Sequence, residues 1–348
     1  MADERERVLV AGGTGFVGRQ LCAHLIAAGS EVTTIARRTP DFPLPGRLLT
    51  LDVTTASPGE LADVIDAVRP HTVVNAIGSN WGIAERDMET NCTVPTRRLL
   101  DALRRATCRP YVVHLGSVLE YGPTLPGETT RTASPPRPTT AYGKAKLMAS
   151  HAVLEAAAEG IVAAGVLRIA NVAGPGTPAV SLLGRVAGGL ADAVARDMLP
   201  AVVELSQLRA HRDYVDVRDV SDAVVAATRA RVPGLVVPIG RGEAVPVRGL
   251  VDLLVEVSGV PAEVRELHAD ATGAVGDDWI QVDPLPAREL LGWTAVRTLR
   301  ESVSGLWADT LRTRGLHGRA GLSGAPHRAP ERTGTNELTR KRVGEWST

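Results

Sequence analysis

The sequence predicts an α/β fold in which a doubly wound parallel sheet carries a smaller α/β lobe. Short apolar runs alternate with helix-patterned segments through the first half of the chain, as strands and crossover helices do in parallel sheets. A glycine-rich turn joins the first apolar run to the first helical segment. Aromatic residues make up only 3% of the chain, so we expect a core of Val, Leu, Ile and Ala, which suits buried parallel strands.

Each predicted element has its own signal. Strands are predicted where brief apolar runs rich in Val, Leu and Ile occur, and helices where longer segments carry apolar residues at helical spacing. The strands are Val8–Ala11, Glu31–Ala36, Leu48–Leu51, Thr72–Ile77, Tyr111–Leu115 and Gly165–Ile169, and the helices are Gly18–Ala28, Gly59–Val68, Glu85–Arg105 and Ala141–Ala158. A Pro- and Thr-rich stretch, Pro123–Thr140, predicts a long loop before the last of these helices.

The second half of the chain is less regular. Residues 1–172 are predicted to form the dinucleotide-binding domain, with a return to the main sheet at 215–240 through the helix Val217–Arg229 and the strand Leu235–Ile239. Residues 173–214 and 241–312 are predicted to form the lobe. The stretch 316–348 has few apolar residues, six Lys/Arg and three Glu, which predicts a disordered tail.

Charge and composition exclude several function classes. Thirty-nine basic residues balance thirty-nine acidic ones, so the bulk charge favours neither a nucleic-acid nor a membrane partner. Cys22, Cys92 and Cys108 are widely spaced, which predicts no disulfide framework, no metal site and a reducing compartment. The charged beginning of the chain is unlike a signal peptide, and no apolar stretch reaches the roughly 18 residues of a membrane span, so we expect a cytoplasmic protein.

The glycine-rich turn predicts a dinucleotide site. The turn places Gly12, Gly15, Phe16, Val17 and Gly18 between a strand and a helix. Glycines permit a tight turn and a close backbone approach to a pyrophosphate, and the helix N-terminus supplies N–H donors. The alternative is a glycine-rich turn that binds no ligand.

The end of the second strand favours NADP(H) over NAD(H). NAD-binding folds usually place an acidic residue there for the ribose 2′-hydroxyl, whereas this strand runs into Arg37 and Arg38. Two guanidinium groups suit a 2′-phosphate through charge-assisted hydrogen bonds, and the less favoured alternative is that they are surface loop charges. Asp52, followed by Val53, ends the third strand and is placed to reach the adenine edge, or to serve as a structural turn residue.

Three residues form a candidate catalytic group. Tyr142 and Lys146 lie four residues apart in a predicted helix, so they share one face. A neighbouring ammonium favours the phenolate and is expected to lower the pKa of Tyr142. Ser117 follows a buried strand at the carboxyl edge of the sheet, where it could bind a carbonyl oxygen while Tyr142 delivers a proton.

These residues belong to a longer series of motifs that resembles the extended short-chain dehydrogenase/reductases, the NAD(P)-dependent epimerase/dehydratase group. The resemblance covers about residues 7–310. The motifs, in family order, are GGTGFVG at 12–18, NAIG at 75–78, ETNCTVPTRRLLDA at 89–102, LGSVLEYG at 115–122, AYGKAK at 141–146, LRIANVAGPG at 167–176, HRDYVDVRDV at 211–220 and LGW at 291–293.

The resemblance implies a Rossmann sheet, a substrate-binding lobe and a role for each matched residue. Ser117, Tyr142 and Lys146 match the catalytic positions, and Lys146 also holds the nicotinamide ribose. Asn171 matches a residue that faces a sugar nucleotide. Arg212 matches an arginine that grips the substrate diphosphate, with a salt bridge to Asp213 or Asp216 as the alternative. Dimerisation through two helices per subunit is usual in the family. The matched positions along the cofactor are Ala76, Ile77 and Gly78.

The residues after Ser117 bear on the type of reaction. The group's 4,6-dehydratases usually carry Asp-Glu there, and its GDP-fucose-forming enzymes carry a cysteine at the second position, whereas this chain has Val118 and Leu119. The favoured hypothesis is therefore NADPH-dependent reduction of an NDP-4-keto-6-deoxyhexose, with dTDP as the nucleotide, in deoxysugar biosynthesis for glycosylated natural products such as antibiotics. The alternatives are a 4-epimerase that retains NAD, a reductase of a non-sugar ketone or aldehyde, and a non-catalytic NADP-sensing protein.

Overall fold

The computed structural model describes residues 5–267 and 278–316. The predicted disordered tail lies outside these residues, except for Leu316. The helices are α1 Phe16–Ala27, α2 Pro58–Val68, α3 Met88–Arg105, α4 Ala141–Ala158, α5 Leu182–Arg196, α6 Val217–Ala230, α7 Val247–Ser258, α8 Leu285–Leu291 and α9 Leu299–Thr313.

The main sheet confirms the predicted fold class. Its seven strands are all parallel and lie in the order β10-β6-β5-β4-β1-β2-β3. They are β1 Arg7–Ala11, β2 Glu31–Ala36, β3 Arg47–Thr50, β4 Thr72–Asn75, β5 Tyr111–Ser117, β6 Ala163–Ile169 and β10 Leu235–Ile239. The strand order reverses between β1 and β4, and a doubly wound sheet binds its ligands at the carboxyl edge beside that point.

The main sheet is buried on both faces because its side chains alternate. In β1, Val8 and Val10 pack with α1 and α6 on one face. Leu9 and Ala11 pack with α2, α3 and α4 on the other. Every second residue of a strand points to the same face, so a strand covered on both sides must be apolar throughout. This explains why the strands read as continuous apolar runs.

The lobe contains strands that the sequence pattern does not reveal. A small sheet has the order β11-β9-β13, with β7 also paired to β9, and a separate pair joins β8 to β12. These strands are β7 Asn171–Ala173, β8 Ala201–Ser206, β9 His211–Asp216, β11 Ala244–Pro246, β12 Ala262–Leu267 and β13 Trp279–Ile280. Helices α5, α7 and α9 supply its apolar core. Strands β7, β11 and β13 have only two or three residues and leave little periodicity to read.

A polar seam joins the lobe to the first helix of the main sheet. The Arg19 guanidinium on α1 donates to the Gly176 carbonyl at 2.7 Å. The Gly176 N–H donates to the Asp309 carboxylate on α9 at 2.9 Å. Gly176 therefore binds helix α1 through its carbonyl and helix α9 of the lobe through its N–H. Within residues 5–267 and 278–316, no helix combines the length and apolar character needed to cross a membrane.

Candidate functional site

The glycine turn is built so that the backbone can approach a ligand. Gly12 has φ +89°, and a Cβ there would lie 2.7 Å from the Ala76 carbonyl oxygen. Gly18 is pressed against the Gly12 carbonyl, so a side chain would not fit there either. Helix α1 begins after Gly15, which offers no side-chain cap to the first N–H groups of the helix. A phosphate fits this arrangement because those donors and the helix dipole favour an anion.

A cavity of about 190 Å³ lies beside the turn, at the ends of β1, β2 and β4. Most of the residues predicted to bind the cofactor line it, namely Gly12, Gly15, Arg37, Asp52, Val53, Ala76, Ile77 and Gly78. Val17 lines the neighbouring cavity instead, and Phe16 lies 6.1 Å from Trp81 between the ring centroids. Gly18 is buried beneath the turn and Arg38 is exposed beside Arg37.

Asp52 is held in a local turn at the edge of this cavity. Its Oδ1 accepts hydrogen bonds from the Thr54 N–H at 2.8 Å and from the Thr54 hydroxyl at 2.6 Å. Desolvation raises the pKa of Asp52, but the Thr54 bonds and the charge of Arg37 outweigh it, and the pKa is lowered. Asp52 is therefore both a structural turn residue and a charged group within the cavity.

A second cavity of about 390 Å³ brings the predicted catalytic and substrate residues together. Ser117, Tyr142, Lys146, Asn171 and Arg212 all line it, although they come from separate parts of the sequence. Ala76 and Gly78 line both cavities, so the segment after β4 forms a wall between them. The arrangement places an acid–base group and a cationic group beside the cavity at the glycine turn.

Ser117 is fixed by a buried polar network. Its N–H donates to Glu120 Oε1 at 2.8 Å, and Glu120 Oε1 also accepts from the Ser150 hydroxyl at 2.9 Å. The other carboxylate oxygen of Glu120 accepts from Arg168 Nε at 2.8 Å. The Glu120 and Arg168 side chains are 0% and 5% exposed. The Ser117 hydroxyl accepts from the Leu119 N–H at 3.2 Å, which leaves its own proton for a substrate oxygen.

Helix α4 carries Tyr142 and Lys146, and the Thr140 hydroxyl caps its start. Lys146 is 2% exposed, and its ammonium donates to the Ile77 carbonyl at 3.2 Å. Burial lowers the pKa of Lys146, and nearby Cys92 and Glu120 raise it in part.

The pKa of Tyr142 is raised, because burial disfavours the phenolate and the charges of Cys92 and Glu120 act in the same direction. The pKa of Tyr142 in the protein by itself is therefore higher than the sequence led us to expect, because burial is the largest cause of its shift. A raised pKa keeps the Tyr142 phenol protonated through neutral pH. Tyr142 is thus able to donate a proton at neutral pH.

Asn171 and Arg212 reach the cavity from paired strands. Residue Asn171 lies opposite Tyr214 in the β7–β9 register. Arg212 forms neither of the ion pairs considered from the sequence, with Asp213 or Asp216. Its Nη2 binds the Asp278 carboxylate at 2.9 Å, and its Nη1 binds the Asp278 carbonyl at 2.6 Å.

Sequence reasoning did not find several residues of the site. Leu182, Leu183 and Tyr214 line the larger cavity from α5 and β9. Tyr214 follows Arg212 in the Arg-Asp-Tyr motif, so its alternation with Arg212 along a strand was the available signal. Leu182 and Leu183 carried no such signal, because they lie outside the motifs, six and seven residues after the one at 167–176.

Comparisons with known proteins show what the chain is similar to. The model of the NAD dependent epimerase/dehydratase family matches residues 8–240. A dTDP-6-deoxy-L-talose 4-dehydrogenase (NAD(P)(+)) of Kitasatospora kifunensis is 44% identical over 302 residues, which span 86% of this chain and 94% of that protein. A UDP-glucose 4-epimerase of Streptomyces lividans is 30% identical over 328 residues, with 86% and 95% covered. The solved structure of MoeE5 with UDP-glucuronic acid and NAD superposes with a TM-score of 0.75 at 26% identity, covering 88% of this chain and 99% of that one.

Proposed function

The chain belongs to the NAD dependent epimerase/dehydratase family and is an NAD(P)-dependent oxidoreductase, and on that premise we propose that it reduces a nucleotide-activated 4-keto-6-deoxyhexose at C4. The proposed nucleotide is dTDP and the proposed reductant is NADPH. The similarity to a dTDP-6-deoxy-L-talose 4-dehydrogenase supports both the class of sugar and the reacting carbon. The product would be an activated 6-deoxyhexose ready for glycosyl transfer.

One observation carries this proposal. Ser117, Tyr142 and Lys146 line one cavity, while the two residues that follow Ser117 offer no group that can move a proton. Val118 is 1% exposed and Leu119 presents a hydrocarbon side chain to the cavity. Elimination of water needs groups that remove and return protons at carbon. Ketone reduction needs one proton for the oxygen, and Tyr142 meets that need.

In the proposed mechanism the residues of the chain stabilise and protonate the oxygen that forms. NADPH, when bound, supplies the hydride that reduces the ketone carbon. The Ser117 hydroxyl donates a hydrogen bond to the ketone oxygen as negative charge develops there. Tyr142 transfers its phenolic proton to that oxygen, which gives the alcohol. The Lys146 ammonium then stabilises the Tyr142 phenolate until solvent returns the proton.

The proposed diphosphate contact is the side edge of the Arg212 guanidinium. Asp278 occupies the end edge, Nη1 and Nη2, and so fixes the plane of the group. The edge formed by Nε and the second Nη2 proton suits a bidentate phosphate contact. Asn171 and Tyr214 stand close by on the paired strands.

The direct test is to incubate the protein with NADPH and dTDP-4-keto-6-deoxyhexoses. We expect one NADPH consumed for each sugar, with an alcohol at C4 of the product. The matched control supplies the same protein with UDP-glucose or UDP-galactose. Interconversion of those two sugars without net use of NADPH would replace the proposal with the 4-epimerase alternative, which similarity to several UDP-sugar 4-epimerases favours. Reduction of a simple ketone alone would indicate a non-sugar reductase.

The proposed preference for NADPH depends on Arg37 and Arg38. Replacing both with alanine is expected to raise the KM for NADPH roughly tenfold to hundredfold, because charge-assisted hydrogen bonds to a 2′-phosphate are lost. The KM for NADH should stay unchanged. Arg47→Ala is the control. Arg47 is an exposed arginine at the first residue of β3, whereas Arg37 and Arg38 follow the last residue of β2, at the opposite edge of the sheet. Equal effects on the two coenzymes would argue against a 2′-phosphate contact.

The proposed diphosphate contact depends on Arg212. Arg212→Ala is expected to raise the KM for the sugar nucleotide roughly tenfold to hundredfold, as the loss of a charged hydrogen-bonding pair implies. Steady-state kinetics against sugar nucleotide and against a small unphosphorylated ketone measure the effect. Arg209→Ala removes an exposed arginine three residues away and serves as the control. A variant equally active on the sugar nucleotide would leave Arg212 a structural residue.

A further inference from the structure

A buried polar pair lies behind the wall that separates the two cavities. Asn75 ends β4 and stands directly opposite His114 of β5 in the strand register. The two residues are 1% and 0% exposed. Asn75 Nδ2 lies 3.1 Å from His114 Nδ1 and 2.9 Å from the Thr96 hydroxyl. Neither residue lines the cavities, so the proposed mechanism makes no direct use of either.

The hydrogen bonds of Asn75 define the state of His114. The Ile77 N–H, which can only donate, lies 3.2 Å from Asn75 Oδ1. The amide nitrogen of Asn75 therefore faces His114, whose Nδ1 must accept and whose proton must sit on Nε2. Burial lowers the pKa of His114 well below its usual value, and the charge of Lys146 adds to this. His114 thus stays neutral and remains an acceptor at Nδ1.

The same chain of bonds continues to Lys146. Residue Ile77 donates its N–H to Asn75, and its carbonyl, in the next peptide group, accepts from the Lys146 ammonium at 3.2 Å. Residues on either side of Ile77, namely Ala76 and Gly78, line both cavities. Three hydrogen bonds therefore lead from His114 through Asn75 and the wall to Lys146.

We propose that Asn75 and His114 are positioning residues, which fix the wall at residues 76–78 and thereby the place of the Lys146 ammonium. The kcat readouts of this proposal rest on the proposed function, whereas the NADPH-affinity readout does not. Burying an amide and an imidazole costs free energy that an apolar pair would avoid. The Nε2 of His114 has no hydrogen-bond partner among the described residues, which adds to that cost. A purely structural site in a parallel sheet would favour Val or Ile here.

The test compares His114→Phe, His114→Asn and Asn75→Leu with the unchanged protein. Phenylalanine keeps the ring but removes the acceptor, whereas asparagine places an oxygen where Nδ1 stood. Without its anchor the Ile77 carbonyl moves, so Lys146 loses an acceptor that favours its charged form. We expect the basic limb of the kcat–pH profile to move to lower pH in His114→Phe and Asn75→Leu, and kcat to fall tenfold or more, in line with the roughly 10²-fold cost of a 1 Å misplacement.

His114→Asn should restore both the pH profile and the rate. The other titratable groups facing Lys146 are unchanged in these variants: Cys92 from α3, Glu120 after β5 and Tyr142 on the same helix. NADPH affinity, followed by fluorescence, should weaken in His114→Phe and recover in His114→Asn. The affinity measurement needs no sugar substrate. If the protein without substitutions proved inactive on the proposed sugar, the proposed function would be wrong, but the NADPH affinities of the variants could still be compared.

The positioning role is overturned by either of two results. In the first, His114→Phe and Asn75→Leu keep the original NADPH affinity and pH profile. In the second, His114→Asn is altered as much as His114→Phe, which would mean that the acceptor at Nδ1 is irrelevant. Both readouts are properties of folded molecules, so partial loss of folded protein does not change them. If one of the two disruptive variants fails to fold, the other gives the result.

Discussion

Tyr142→Phe is expected to lower kcat roughly 10²- to 10⁴-fold, the usual contribution of a positioned general acid. The phenol is the donor that lines the cavity beside Ser117, and its raised pKa keeps it protonated at neutral pH. NADPH affinity and the free energy of unfolding should change little, because the ring remains. Single-turnover measurement of NADPH oxidation separates the chemical step from binding.

The matched control is Tyr111→Phe. Tyr111 lies at the start of β5, at the opposite end of the strand from Ser117, and its hydroxyl donates to the Val232 carbonyl at 2.7 Å. Its removal should leave kcat unchanged and cost about 1 kcal/mol of stability. A Tyr142→Phe protein that transfers hydride at the original rate would contradict the mechanism.

The pKa values of Tyr142 and Lys146 set the expected pH dependence. In the proposed reduction the protonated phenol is the active form, so the rate should be flat through neutral pH and decline only at alkaline pH, where Lys146 loses its charge before Tyr142 loses its proton. Oxidation of the alcohol product needs the phenolate, so its rate should increase with pH. The two opposite pH profiles would be measured with NADPH and NADP⁺. A reduction rate that rises with pH would contradict an acid role for Tyr142.

Glu120→Ala is expected to destabilise the protein by about 3–5 kcal/mol. The substitution leaves the buried Arg168 guanidinium without its carboxylate, and it also removes the acceptor of the Ser117 N–H. An unpaired buried charge is costly because the protein interior cannot solvate it. Urea unfolding at neutral pH gives the change in free energy.

Two controls make the result specific. Glu256→Ala breaks the exposed pair with Arg300, whose side chains are 64% and 56% exposed, and should cost less than about 1 kcal/mol. Replacing Glu120 and Arg168 together with leucine should recover part of the lost stability, because no buried charge is then unpaired. A Glu120→Ala protein as stable as the Glu256→Ala protein would show that solvent reaches the Arg168 site.

Motif position predicted most of the fold and much of the candidate site. The glycine turn, the strand before Ser117 and the Tyr142–Lys146 helix were each readable, because a parallel sheet brings the carboxyl ends of its strands to one edge. The boundaries were less accurate. Helix α1 begins at Phe16, and β4 ends at Asn75. The Ile77 N–H leaves the strand ladder to bind the Asn75 side chain, which a hydrophobic pattern does not record.

The partners of charged and polar groups could not be predicted. Arg212 binds Asp278, 66 residues further along the chain, and Glu120 binds Arg168, 48 residues away. Such pairs depend on how distant segments are brought together in the folded chain, and the spacing of residues along the sequence does not show this. Short strands could not be predicted either: β7 and β13 have only three and two residues, too few for a hydrophobic pattern.

The bonds at Gly176 bear on how the molecule melts. Arg19 from the first helix and Asp309 from the last described helix both bind Gly176, so these two helices are linked through one residue. If the lobe unfolded by itself, the Arg19 guanidinium would lose its acceptor at Gly176. If the main sheet unfolded by itself, the Gly176 carbonyl would lose its donor. Heating should therefore produce one cooperative transition rather than two separate ones, and calorimetric and van't Hoff enthalpies should agree.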